Sequence, residues 1–494
     1  MIPLTLAEVA AATGGRLDAG TDPDAVVSGA VTIDSRVTGA GDLFVALPGV
    51  RVDGNDYAAG AVAAGAVAVI GTRSTGVPAV LVDDSLAALG LLAKAVRERL
   101  PDLVVIGVTG SSGKTSTKDL IAAVLTRAGR TVANQGSFNN EIGAPLTILQ
   151  TDADTRFLVV EMGARGVGHI AHLSAMARPD IGVVLNIGAA HSGEFGSREA
   201  TAQAKGELVE ALSPAGLAVL NADDPLVIAM ALRTRARVVL TGTAEEAQVR
   251  AENVTLDEQA RAGFDLVVDG VRPEPPVRVQ LALYGAHYVG NALAAVAVGL
   301  EAGLAPAEIA AALSEAGAAS RWRMEVQRRA DGLVVVNDAY NANPDSVAAA
   351  LRALAAMAAA LPGPSGGWAV LGEMLELGPA SVAEHRAVGR LVAELGLVGV
   401  IAVGPGAAPI AEGASAAGSA GLRVLTAEGV DEALSLVQQN VRRTDVVLIK
   451  ASRAIGLERV AAGLLAEATE TVPPPVAIPE VDALSGHPER KESA

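Results

Sequence analysis

A chain of 494 residues is longer than one hydrophobic core usually organises, so several domains are expected. Lys and Arg number 38 against 55 Asp and Glu, and the resulting net charge of −17 argues against general binding to nucleic-acid phosphates. The sequence contains no cysteine, which removes disulfides, thiolate metal sites and cysteine nucleophiles.

The opening, MIPLTLAEVAAATGG, lacks the basic segment and apolar run of a secretory signal. No later stretch is apolar for long enough to span a membrane; the Ala-rich run over 346–361 is broken by Arg352. A cytoplasmic, non-inserted protein is therefore expected. Short β-branched runs alternate with Ala/Leu-rich helical segments, the pattern of parallel α/β domains. The first block, 1–101, carries TIDSRVTGAGDLFVALPGVRVDGNDY and the strands AVAVIG and AVLV. The second, 102–318, opens on the strand LVVIGVT and continues through FLVVEMG, IGVVLN and GLAVLN. Within it, the alternation in VRAENVTL and GFDLVVDG predicts a small antiparallel insertion. The third, 319–470, runs LVVVND, a long helix from Ser346, then WAVLG, VGVIAVG and DVVLIK. Residues 471–494, starting TVPPPVAIPE, are Pro-rich and polar and predict a disordered tail.

The clearest chemistry lies in GVTGSSGKTST, where an apolar strand enters a Gly-rich loop and an amphipathic helix leaves it. Such a loop, here Gly110, Ser111, Ser112, Gly113, Lys114, Thr115 and Ser116, turns backbone amides and a helix N-terminus toward phosphates. Lys114 then falls at the terminal phosphates and Thr115 at Mg²⁺. Val108 stands where the longer P-loop spacing needs glycine, so the form is the shorter T-G-x-x-G-K-T. Glu161 ends the strand FLVVEMG, His191 follows VVLN, and Lys205 sits in the helical ATAQAKGELVEAL. Singly, these read as a strand-end cap, a loop histidine and a solvated lysine. Their order behind a phosphate loop makes them candidate metal and nucleotide ligands. Of the other histidines, His169 and His172 suit a partly exposed helical face, His287 precedes a helix carrying Asn291, and His487 lies in the tail. His385 suits a surface helical position or a substrate contact.

With these residues in view, the chain resembles the Mur ligase family over nearly its whole length. The resemblance rests on TGSSGKT, SFNNEIGAPLT, the EMGA at Glu161, the AH at His191, the AKGE at Lys205, NADDP, the H-x-x-x-N of His287 and Asn291, DAYNANPDS and LGEMLELG. The first block's DSR and GDLFVALPG are similar to the family's uridine-nucleotide-binding domain, and this argues against the related folylpolyglutamate synthetases. The third block lacks the D-N-P-R motif of the relatives that add the third amino acid. The missing N-K-x-D likewise speaks against a GTP switch protein. The resemblance implies three α/β domains: a substrate-binding domain, a central P-loop sheet that binds ATP, and a Rossmann-like C-terminal domain. It also implies a monomer that uses ATP and Mg²⁺ to join D-alanyl-D-alanine to UDP-N-acetylmuramoyl-tripeptide through an acyl phosphate. Carried over by position, Lys114, Lys205 and His191 are catalytic, and Thr115, Glu161, His191 and a carbamylated Lys205 hold metal. Asn291, Arg323 (in preference to Arg321) and Asp338 contact adenine, phosphate and ribose. Ser35, Arg36, Asn139, Asn140, Asn341 and Asn343 contact substrates.

Overall fold

A computed structural model describes residues 1–49, 52–188, 197–361 and 365–466. Its apolar runs form parallel strands, since a strand covered on both faces has no need of polar alternation. The central sheet has nine strands. From one edge they are Thr131–Ala133, Phe157–Glu161, Val104–Thr109, Ile181–Val184, Leu217–Asn221, Arg237–Gly242, Val249–Leu256, Arg261–Val268 and Arg278–Tyr284. Pairing is parallel as far as Val249–Leu256, and the last two strands add antiparallel. The stretch expected as a small antiparallel insertion does pair antiparallel, and it extends the same sheet. Thr241 pairs in parallel with Val249, and Phe264, Leu266, Val279 and Leu281 bury one face of the extension.

Strand Val104–Thr109 lies inside this sheet, between Phe157–Glu161 and Ile181–Val184. The chain first leaves it for the edge strand Thr131–Ala133 and later crosses to the other side. This reversal opens a crevice beyond the carboxyl end of the strand. Helix Lys114–Leu125 leaves the crevice and packs against helix Tyr288–Glu301, whose small side chains allow a close approach. A Cβ on Gly299 would lie 2.7 Å from Val124 Cγ1.

Residues 325–450 build a six-stranded sheet in the order Glu325–Arg328, Val334–Asn337, Val446–Lys450, Gly367–Gly372, Gly399–Val403, Arg423–Ala427, parallel apart from its first pair. Near the start of the chain, a five-stranded sheet includes Leu43–Val45, Ala68–Gly71 and Ala79–Leu81. Helix Ser85–Glu98, capped by Asp84, packs this first sheet against helices Gly143–Ile148 and His169–Ala177. The long helix of the third block starts at Pro344 rather than Ser346. The Asn343 side chain accepts the Ser346 N–H (2.8 Å) while Ser346 Oγ accepts that of Asn343 (3.0 Å), and proline suits the first helical position.

Candidate active site

The Gly-rich loop is shaped from both sides. Gly113 is left-handed at φ 79° and caps helix Lys114–Leu125, whose first-turn amides have no intrahelical acceptor. A Cβ at Gly113 would lie 2.8 Å from Asn291 Oδ1, so only glycine lets the loop rest on that helix. Asn186, which sequence reasoning passed over, braces the loop's entry. Its carbonyl accepts the Ser111 N–H (3.0 Å) and its Oδ1 that of Ser112 (2.9 Å). Asn186 lies two residues beyond the strand Ile181–Val184, which runs beside the loop strand, and that position was the one available signal.

A cleft of about 700 Å³ opens above the loop. Ser111, Ser112, Gly113, Lys114, Thr115 and Ser116 form its floor, and Asn139, Asn140, Glu161 and Lys205 line one side. Opposite them stand Tyr340, Asn341, Asn343, Leu375, Glu376 and Arg453, beyond the carboxyl ends of three parallel strands of the third sheet. Five basic side chains, Lys114, Arg165, Lys205, Arg323 and Arg453, line the cleft in a chain of net charge −17. Lys205 is 1% exposed, and burial, aided by the Lys114 charge, lowers its pKa to about 7. Burial also holds Lys114 below its ordinary range, Glu161 opposing and Arg323 reinforcing the shift. Lys114 Nζ donates to the Gly110 carbonyl at 2.8 Å. Such a concentration of positive charge calls for an anion.

Glu161 is 1% exposed; its Oε1 accepts from Asn139 Nδ2 (2.7 Å), and its Oε2 has no hydrogen-bond partner among the described residues. Thr115 Oγ1 lies 2.8 Å from Ser137 Oγ, and Arg323 Nη2 donates to both hydroxyls at 3.3 and 3.1 Å. The orphaned carboxylate oxygen and the nearby hydroxyl are hard donors suited to Mg²⁺. No group of three or more His, Asp or Glu side chains that could hold a metal ion is found among the described residues. His191 lies outside the described residues.

Arg323 enters the cleft, whereas Arg321 is exposed outside it. Trp322 and Met324 on either side are left-handed, at φ 58° and 49°, a strained backbone that aims Arg323 at the loop. Its guanidinium stacks 4.3 Å above Tyr340, and its Nε has no partner among the described residues. Asp338 is buried and engaged within the protein: Oδ1 accepts the Met324 N–H (3.1 Å) and Oδ2 accepts from Lys450 Nζ (2.6 Å). Asn343 is likewise occupied as a helix cap and as a donor to the Ser111 carbonyl (3.4 Å). Asn291 lines a separate cavity of about 100 Å³ with Asn186, Asn221, Thr241 and His287. Ser35 and Arg36 stay outside the cleft, where Arg36 pairs with Asp34, although their neighbour Ile33 reaches its mouth. His385 is a correction. It is fully buried, neither a surface residue nor a substrate contact.

Residues 108–299 match the Mur ligase middle domain, 322–453 the Mur ligase glutamate ligase domain, and 29–110 the catalytic domain of the Mur ligase family. The UDP-N-acetylmuramoyl-tripeptide–D-alanyl-D-alanine ligase of Mycobacterium tuberculosis is 47% identical over 95% of this chain and 99% of its own. The chain belongs to the Mur ligase family. Among solved Mur ligases, MurF from Acinetobacter baumannii superposes with a TM-score of 0.83 at 32% identity, covering 94% of this chain and 99% of its own. MurF from Thermotoga maritima in complex with ADP superposes at 0.76, with 29% identity over 90% of this chain and 98% of its own.

Proposed function

We propose that this Mur ligase uses ATP to join D-alanyl-D-alanine to UDP-N-acetylmuramoyl-tripeptide, completing a pentapeptide precursor of peptidoglycan. The observation that carries the reading is the cleft itself. A phosphate loop with Lys114 and Arg323 beside it faces a wall of loops from a second parallel sheet, so a phosphoryl donor and two further reactants can meet there. A carboxylate resists amines because oxide is a poor leaving group. Transfer of the γ-phosphoryl group onto the terminal carboxylate of the tripeptide gives an acyl phosphate. The amine of the dipeptide then attacks the acyl carbon, phosphate departs with the C–O bond electrons, and the ammonium proton goes to solvent.

In this reading the first-turn amides, Lys114 and Arg323 hold the triphosphate in line and stabilise charge that grows during transfer. Glu161 and Thr115 would hold Mg²⁺, which when bound supplies charge neutralisation at the phosphates. Lys205 as an unmodified ammonium would repel that ion; the low pKa favours the neutral amine that can add CO₂ and become an anionic carbamate. The family's ribose contact, Asp338, first orders Met324 and thereby Arg323. Residues 1–101 would bind the uridine nucleotide, 102–318 ATP, and 319–470 the dipeptide. A monomer working in the cytoplasm belongs to the same reading. No described helix is long and apolar enough to cross a membrane. Mass analysis of a reaction containing ATP, the tripeptide nucleotide and D-alanyl-D-alanine tests the assignment. The dipeptide adduct should form, and a preference for a free amino acid would overturn it.

A further inference from the structure

The strand Gly367–Gly372 delivers the segment Glu373–Leu377 to the cleft, where Leu375 and Glu376 face the phosphate loop across the opening. This segment is held more firmly than an exposed turn requires. The Met374 N–H donates to His385 Nε2 at 2.9 Å, so Nε2 is unprotonated and Nδ1 carries the hydrogen that it donates to the Ser381 carbonyl at 2.7 Å. The Leu375 N–H donates to Ser452 Oγ at 2.9 Å, and the Ser452 N–H to the Glu373 carbonyl at 3.1 Å. Glu376 is left-handed at φ 65°, a conformation that a non-glycine residue keeps only where its surroundings impose it. His385 is 0% exposed and Met374 1%, so neither exchanges these bonds for water. Fixed, strained backbone at the edge of a cleft is the mark of a surface shaped for a ligand.

We propose that His385 is a positioning residue for the incoming amine: by fixing Met374 it sets Leu375 and Glu376 as the wall that receives the D-alanyl-D-alanine. The inference rests on the proposed function and extends it to a residue outside the cleft. The chemistry of the wall matches the acceptor, which carries methyl groups for Leu375 and an ammonium for the Glu376 carboxylate. Phosphates belong to the floor of the cleft, with Lys114. His385 touches no reactant and acts only through the backbone of Met374.

Two substitutions separate positioning from bulk stability. His385→Gln can place its amide oxygen near the position of Nε2 and keep the acceptor for Met374. His385→Asn reaches only as far as Nδ1 and leaves the Met374 N–H without a partner. Steady-state kinetics of the full-length enzyme should give a KM for the dipeptide raised about tenfold in His385→Asn and about threefold or less in His385→Gln. The KM values for ATP and the tripeptide nucleotide should stay within about twofold of wild type. Amide exchange at Met374, followed by mass spectrometry, should quicken in the Asn variant alone. An unchanged dipeptide KM in a folded Asn variant, or equal rises in all three KM values, would overturn the inference. Should His385→Asn fail to fold, Ser452→Ala tests the same wall through its other anchor, and an unchanged dipeptide KM there would also overturn it. A wild-type enzyme that cannot use the dipeptide at all would overturn the functional reading first and this one with it.

Discussion

Adding one methyl group at Gly113 should disable the phosphate loop while sparing the rest of the protein. The residue is left-handed at φ 79°, a conformation that costs a side-chain-bearing residue roughly 1–2 kcal/mol. The new Cβ would also sit 2.8 Å from Asn291 Oδ1 and 3.3 Å from its Nδ2, on a helix packed too tightly to retreat. Relief by a small shift of the loop adds about 1 kcal/mol, for a total of about 2–3 kcal/mol against the nucleotide-binding form. Gly113→Ala should therefore bind Mg-ADP about 30- to 150-fold more weakly in calorimetry. Affinity for the tripeptide nucleotide should be unchanged. Gly60, in helix Ala58–Ala63, has nothing within 4 Å of its would-be Cβ and serves as a control. Gly60→Ala should gain about 0.5–1 kcal/mol of stability and keep wild-type nucleotide affinity. Wild-type ADP binding by Gly113→Ala would refute the reasoning.

Glu161→Gln keeps the acceptor for Asn139 but removes the anionic oxygen that has no partner, so it should stay folded and lose about 100-fold or more in kcat; a Mg²⁺ titration with normal affinity and rate would contradict this. Arg323→Lys loses the stack on Tyr340 and the forked donors, and should cut kcat about 10- to 100-fold with nucleotide affinity changed only a few-fold. Lys205 has its folded pKa depressed from 10.5 to about 7, so between those values the unfolded chain binds more protons and stability should rise with pH. In CO₂-free buffer Lys205→Met should lack that rise in denaturant midpoint and be almost inactive at every pH. At fixed dissolved CO₂, labelling of the wild-type lysine with ¹³CO₂ should speed up about tenfold from pH 6 to 8 and then flatten. A continued tenfold rise per pH unit to pH 9 would mark an ordinary lysine.

The phosphate loop and the strands that carry it were legible because their signals are local. An apolar run, glycines and Lys114-Thr115 sit within a dozen residues, and parallel strands need only uninterrupted apolar side chains. The antiparallel extension showed in the alternation of Val249–Leu256, but its attachment to the main sheet depends on Thr241 meeting Val249, a pairing that alternation does not encode. Long-range partnerships were similarly hidden. Asn186 signals only its place past a strand, not that it braces Ser111 and Ser112, and Lys450 gives no hint that it meets Asp338 from the neighbouring strand. His385 read as a helix-surface residue or a substrate contact; it is instead buried, with its ring accepting the Met374 N–H, a pairing that no local pattern encodes. Trp322 and Met324 carry no sequence signal for left-handed backbone, since neither is glycine or asparagine.

Oxygen-18 in the terminal carboxylate of the tripeptide offers the most direct test of phosphoryl transfer followed by amide formation. Full-length enzyme would be supplied with the labelled tripeptide nucleotide, ATP and D-alanyl-D-alanine, and the released phosphate analysed by mass spectrometry. An acyl phosphate requires one carboxylate oxygen to leave with phosphate, so each phosphate should carry one labelled oxygen and the new amide should keep the other. Unlabelled phosphate alongside the amide product would contradict transfer through an acyl phosphate.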